Sequence, residues 1–170
     1  MEIKEKLHPT EPEVQNRIIE YLTKESGQIW FPPKDKHELR SHGVDIWLKG
    51  NLSCTRQFFI ECKGRSNAKT QKTRDSIDKE DSWLKALAQL VTRIKSKRVT
   101  SKGKIAKNPC YGLGLYWKSA QTALYRISRN VSEVLNLYII SVDESGYVKV
   151  FTPSEVGKPK ENYPDSLFHQ

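Results

Sequence analysis

Three side chains could do chemistry together: Asp45 in Gly43-Val44-Asp45, and Glu61 and Lys63 in Glu61-Cys62-Lys63. Side chains alternate between faces of an extended chain. In Gln57-Phe58-Phe59-Ile60-Glu61-Cys62-Lys63, Glu61 and Lys63 therefore share one face with Phe59, while Phe58, Ile60 and Cys62 face the core on the other side. Phe58, Phe59 and Ile60 imply a central, largely buried strand, where charges are costly unless paired or bound to metal. Val44-Asp45-Ile46-Trp47-Leu48-Lys49 reads as a second strand, with Val44, Ile46 and Leu48 on one face and a turn at Gly50-Asn51. An antiparallel hairpin of the two would bring Asp45 close to Glu61. Hard oxygen ligands from two carboxylates suit Mg²⁺, with the Cys62 carbonyl as a further ligand. Such a cation acidifies a bound water and stabilises a phosphoryl transition state. Lys63 would hold or help deprotonate the attacking water and oppose developing negative charge. Hydrolysis of a phosphodiester is the chemistry this trio suits.

The elements that must position these groups can be read from the pattern. Thr10-Glu11-Pro12-Glu13 has the form of a helix start, with Thr10 as cap, Pro12 in the first turn and Glu13 three residues on. Val14, Ile18, Tyr21 and Leu22 follow at helical spacing, and Gly27 closes the helix. Residues 28–31 read as a short extended piece ending at Pro32-Pro33, before a polar loop. Residues 64–81 are polar, mixed in charge and read as a mobile loop. A helix then begins at Asp81-Ser82, with Leu84, Leu87, Ala88, Val91 and Ile94 as its apolar stripe. Tyr111 to Trp117 reads as a strand. Ser119 would cap a further helix with Ala120, Ala123, Leu124 and Ile127 inward. Leu135 to Val142 and Tyr147 to Phe151 read as a hairpin around Glu144-Ser145-Gly146, and a poorly ordered tail is expected from Gly157. No internal repeat is visible. The order predicts one α/β domain over residues 1–170, a central mixed sheet flanked by helices.

Composition bounds the partners. Among 170 residues, Lys+Arg of 29 against Asp+Glu of 20 gives a net charge of +9, which favours a polyanion such as nucleic acid. Cys54, Cys62 and Cys110 form neither a disulfide framework nor a zinc pairing. With no signal-like N-terminus and no apolar run of membrane length, a soluble protein of the cytoplasm is expected, with no membrane partner.

The pattern Gly-Val-Asp45, then Glu61-Cys-Lys63 sixteen residues later, resembles the PD-(D/E)XK nuclease superfamily, which includes restriction enzymes and Holliday-junction resolvases. Val44 stands where the motif has Pro. The resemblance covers roughly residues 10 to 117. EPEVQNRIIEYL, GVDIWL and FFIECKG look most like the virus-type replication-repair nuclease branch. The resemblance implies a restriction-endonuclease-like fold, metal-binding Asp45 and Glu61, and catalytic Lys63. It also implies a first-helix glutamate, for which Glu13 and Glu20 are the candidates. The expected activity is Mg²⁺-dependent cleavage of DNA, with Mn²⁺ as substitute, and endonucleolytic. The alternatives are an exonuclease or RNase with the same core, or a catalytically silent DNA-binding subunit. A homodimer would suit cutting of two strands.

Other residues admit two readings. Lys85, Gln89 and Arg93 lie on one helix face, either solvated or with Gln89 at the active site, as in exonuclease branches of the superfamily; the matching Tyr is absent, Arg93 standing in its place. His42 either touches phosphate or is a plain loop histidine. Lys95, Lys97, Arg98, Lys102, Lys104 and Lys107 form a basic stretch expected to grip nucleic-acid backbone without reading sequence. Arg126 and Arg129 either continue that surface or lie on a solvated face. Trp30, Trp47 and Trp117 read as core. Gly112 and Gly114 belong to a strand and make no phosphate loop.

Overall fold

The run Phe58-Phe59-Ile60 makes a strand that must be covered on both faces, and it lies second in a five-stranded mixed sheet of order β1-β2-β3-β4-β5. The computed structural model describes residues 9–27, 30–31, 43–50, 56–94 and 109–170. The strands are β1 (Ile46–Lys49), β2 (Gln57–Lys63), β3 (Cys110–Tyr116), β4 (Leu137–Val142) and β5 (Val148–Phe151). β1 pairs antiparallel with β2, with Ile46 opposite Ile60. β2, β3 and β4 run parallel, and β5 returns antiparallel to β4. Both expected hairpins are therefore present.

The helices are α1 (Glu11–Glu20), continued by a π-helical turn at Tyr21–Glu25, then α2 (Gln71–Glu80), α3 (Ser82–Arg93), α4 (Trp117–Arg126) and α5 (Arg129–Leu135). Val14 and Ile18 of α1, with Leu22 of the π turn, pack on one sheet face against Ile46, Leu48, Phe58, Ile60 and Cys62. Trp47, Phe59, Leu113 and Leu115 line the other face, covered by Ala86 and Leu90 of α3 and Ala120, Ala123 and Leu124 of α4. The α2–α3 and α4 crossovers thus share one face, as right-handed connections adding parallel strands in one direction require.

Five expectations change. First, part of the polar stretch after Lys63 is helix α2. Its N-cap Thr70 hydroxyl accepts the Thr73 N–H at 3.2 Å. Polar contacts dock it rather than an apolar stripe: Asp75 pairs with Lys118 at 2.8 Å, buried Asp78 accepts the Ser66 N–H at 2.6 Å, and the Ser119 hydroxyl donates to the Asp78 carbonyl. Second, the inner stripe of α3 is Ser82, Ala86 and Leu90, with Leu87 and Ile94 partly buried, while Leu84, Ala88 and Val91 are exposed. Small Ser82 and Ala86 occupy the face closest to the rest of the protein. Third, α4 begins at Trp117, so Ser119 lies inside it, holding α2 instead of capping. Fourth, residues after Gly157 form 3-10 turns that place Tyr163 and Phe168 in the core beside Phe151 and Trp117. Fifth, Val44 departs from the face of Ile46 and Leu48, joining Trp47 on the α3 side.

Candidate active site

Asp45 immediately precedes β1, and its Oδ2 accepts the Cys62 N–H at 2.7 Å. The antiparallel register brings it beside Glu61, whose side chain is 1 % exposed. Burial, then the neighbouring charge of Asp45, push the Glu61 carboxyl up to about 7, against the opposing pull of Arg93 and Lys63. Arg93, at the end of α3, sets its guanidinium on Glu61 Oε2. Lys63 Nζ lies 4.0 Å from Glu61 Oε1, 2.9 Å from the Cys62 carbonyl oxygen and 3.3 Å from Glu11 Oε2. The geometry brings Asp45, Glu61 and Lys63 together.

Gly64 is what lets Glu11 arrive. A Cβ there would stand 2.2 Å from the backbone nitrogen of Glu11, so only glycine admits the first turn of α1 so close to the end of β2. The Arg65 N–H reinforces the approach by donating to the Pro9 carbonyl at 2.9 Å. Glu11 is thus the first-helix glutamate that reaches Lys63. Glu13 instead accepts from both the N–H and the hydroxyl of Thr10 at 2.8 Å, and Glu20 lies 3.6 Å from Arg17 and 3.7 Å from Lys24. The resemblance pointed to Glu13 or Glu20, whereas Glu11, the first residue of α1, is the one that the close approach at Gly64 delivers to Lys63.

Other candidates are sorted by position. Gln89 is exposed, and its carbonyl accepts the Thr92 hydroxyl at 2.9 Å; Arg93, one turn on, holds the place beside Glu61. The Cys62 thiol is fully buried toward α1, where burial raises its pKa, so any ligand from this residue is its backbone carbonyl. Trp30, Trp47 and Trp117 are core residues. Arg126 is exposed beside the Tyr125 ring, and Arg129 pairs with Glu133 at 2.7 Å. His42 and Lys95, Lys97, Arg98, Lys102, Lys104 and Lys107 lie outside the described residues.

A second polar group stands at the same sheet edge, beyond the parallel ends of β3 and β4. Asp143 Oδ1 accepts from the Ser145 N–H and hydroxyl at 2.8 and 2.7 Å and from the Tyr147 N–H at 2.8 Å, while Oδ2 lies 3.2 Å from His169 Nδ1. Burial opposes its charge, yet these contacts win and lower its pKa. Glu144 behaves likewise, against the same penalty, with the Tyr116 hydroxyl and the Trp117 indole N–H donating to it.

Comparison with known proteins finds no match: no family model, no curated protein and no solved structure matches the chain. Among the described residues no helix is long and apolar enough to cross a membrane, and no group of three His, Cys, Asp or Glu is gathered for a metal.

Proposed function

We propose that this chain is a restriction-endonuclease-like nuclease that hydrolyses DNA phosphodiester bonds, endonucleolytically, with Mg²⁺ or Mn²⁺. The observation that carries the reading is the Glu61 carboxyl, buried, with Asp45 as its neighbour across the β1–β2 pairing and Lys63 two residues on along its strand. Like charges held together in a desolvated place are penalised unless a cation or a proton relieves them, and such perturbed groups cluster at functional sites. The oxygen donors fit Mg²⁺: Asp45, Glu61 and the Cys62 carbonyl, with waters completing the shell, so three side-chain ligands are not required. Mg²⁺, when bound, supplies Lewis acidity toward the phosphoryl group and a more acidic water.

The chain's own residues do the rest. Lys63 Nζ is fixed between the Cys62 carbonyl and Glu11. From there it orients the attacking water and faces the charge that develops on the phosphorane. Glu11 keeps this amine in place and, two residues from the capping Glu13, has no part in closing the helix. Arg93 covers Glu61, so its guanidinium must swing aside before a cation can reach Oε2.

Arg93 also supports a second reading, a DNA-binding subunit in which this ion pair replaces metal and turnover is lost. Incubating purified protein with supercoiled plasmid, linear duplex, branched DNA and RNA in Mg²⁺ or Mn²⁺, beside Asp45→Ala, decides between them. Nicking of the closed plasmid that disappears in the variant supports an endonuclease. Salt-sensitive binding without any cleavage would establish the silent subunit instead.

A further inference from the structure

We propose that Arg65 and Arg74 form a second phosphate site, which holds the nucleic-acid strand next to the phosphodiester that is cut; the assignment of the ligand as DNA rests on the nuclease reading. The two guanidiniums converge on one neutral acceptor. Arg65 Nη2 and Arg74 Nη2 donate to the same Gln71 Oε1, at 3.3 and 2.8 Å. The Nε atoms of both arginines are shielded from solvent and have no hydrogen-bond partner among the described residues.

Buried cationic donors normally find carboxylates. Here neither local acid accepts a hydrogen bond from Arg65 or Arg74, whose bonds go to Gln71 Oε1 and the Ala68 carbonyl. Asp75 accepts from Lys118 at 2.8 Å and from Gln71 Nε2 at 2.9 Å. Asp78 gives one oxygen to the Ser66 N–H and keeps the other buried without a partner among the described residues; burial raises its pKa against the pull of the Ser66 bond and of Arg65, so its carboxyl is a poor counter-charge. Asp75 thereby turns the Gln71 amide so that its oxygen faces both arginines. A single amide oxygen cannot satisfy two planar forks, whereas a phosphate offers several anionic oxygens that match them in pairs. Gln71 is also the first residue of α2, whose N-terminal dipole end favours an anion.

Position supplies the link to the chemistry. Arg65 follows Lys63 by two residues, about 7 Å of extended chain, which is of the order of the step between successive phosphates of one strand. Its guanidinium lies over the Tyr116 ring, 5.6 Å from the centroid, at the end of β3. That cation–π contact holds the Arg65 guanidinium at the sheet edge where Lys63 also stands.

Two measurements test this. In ¹⁵N spectra of the wild-type protein, inorganic phosphate should shift the two arginine Nε–H signals that Arg65→Gln and Arg74→Gln remove. Failure of both to move overturns the site whether or not the protein cuts DNA. Anisotropy of a short fluorescein-labelled duplex in EDTA, across a salt series, should show about tenfold weaker binding for the double glutamine variant. Its slope of log affinity against log salt should fall by roughly 0.9 for each phosphate that is no longer neutralised, while Arg65→Lys with Arg74→Lys keeps most of the slope. Phosphate-shifted signals with an unchanged slope overturn the assignment to DNA. Plasmid cleavage by wild-type protein is read separately. Cleavage with an unaltered slope removes DNA as the ligand of this site and leaves the nuclease reading intact. A fallen slope without any cleavage retains the site and removes the nuclease.

Discussion

Two carboxylate clusters stand at the same edge of this sheet, and they are built on opposite principles. Asp143 is buried yet surrounded by donors: two from Ser145, one from Tyr147 and His169 alongside, so its charge is stabilised and its pKa falls. Glu61 is buried beside another carboxylate, and even with Arg93 upon it its pKa rises to about 7. The first is a turn that has been satisfied; the second stores electrostatic stress that a positive ligand would release. Burial of an acid is therefore uninformative until its partners are known. What separates architecture from chemistry here is whether the folded chain already meets the demand for positive charge and hydrogen bonds.

That contrast can be broken in several places. Lys63→Ala should lower single-turnover cleavage by about 10²–10⁴-fold, the range for a positioned proton-transfer group, with an unchanged circular dichroism spectrum; a variant as fast as wild type would remove Lys63 from the chemistry. The pH dependence of stability comes next. The folded Glu61 pKa of about 7 lies above the ordinary 4.5, so between those values the folded state retains a proton that the unfolded chain has lost. In EDTA, the contribution of this one carboxyl to stability should be greatest below 4.5 and fall by up to roughly 3 kcal/mol as pH rises through 7. Glu61→Gln should flatten this slope, and urea titrations across the range would expose a slope that persists.

Asp143→Asn tests the other cluster. It should lower unfolding free energy by about 1–3 kcal/mol, the penalty for donors left poorly matched, with cleavage per folded molecule preserved. Loss of activity without loss of stability would erase the distinction between the clusters. Asp45→Asn should bring the Glu61 titration, followed by carboxyl ¹³C shifts, back toward the usual range; an unmoved midpoint would show that burial alone raises it. The smallest effect is expected at α1. Glu13→Gln should cost about 0.5–1 kcal/mol of stability and leave cleavage alone, whereas Glu11→Gln should slow cleavage by disturbing Lys63. The reverse pattern would restore Glu13 to the site.

Much of this was legible in the order of residues alone. Strong periodicity and turn residues carried the two hairpins, the Thr10 start of α1 and the inward residues of α4, because local patterning and tertiary packing agree there. The approach of Asp45 to Glu61 followed from strand alternation and hairpin pairing. Helix α2 was hidden because Asp75, Asp78 and Ser119 dock it through polar contacts, leaving no apolar period to detect. The stripe of α3 was displaced because close packing selected Ser82 and Ala86 over larger Leu84 and Val91. Tyr163 and Phe168 sit among turns without periodicity, so their burial could be learned only in three dimensions. Arg93 reaches Glu61 across 32 positions of sequence, a distance over which no pattern speaks.

Gly64 carries no functional group, yet it pins the arrangement around Lys63. A single methyl at that position would drive the start of α1 away from the exit of β2, taking Glu11 off the lysine amine and releasing the Pro9–Arg65 link in one movement. Saturation mutagenesis should therefore score this position as intolerant as the acidic ones, with inactive yet folded variants. A screen that looked only for polar residues would walk straight past it.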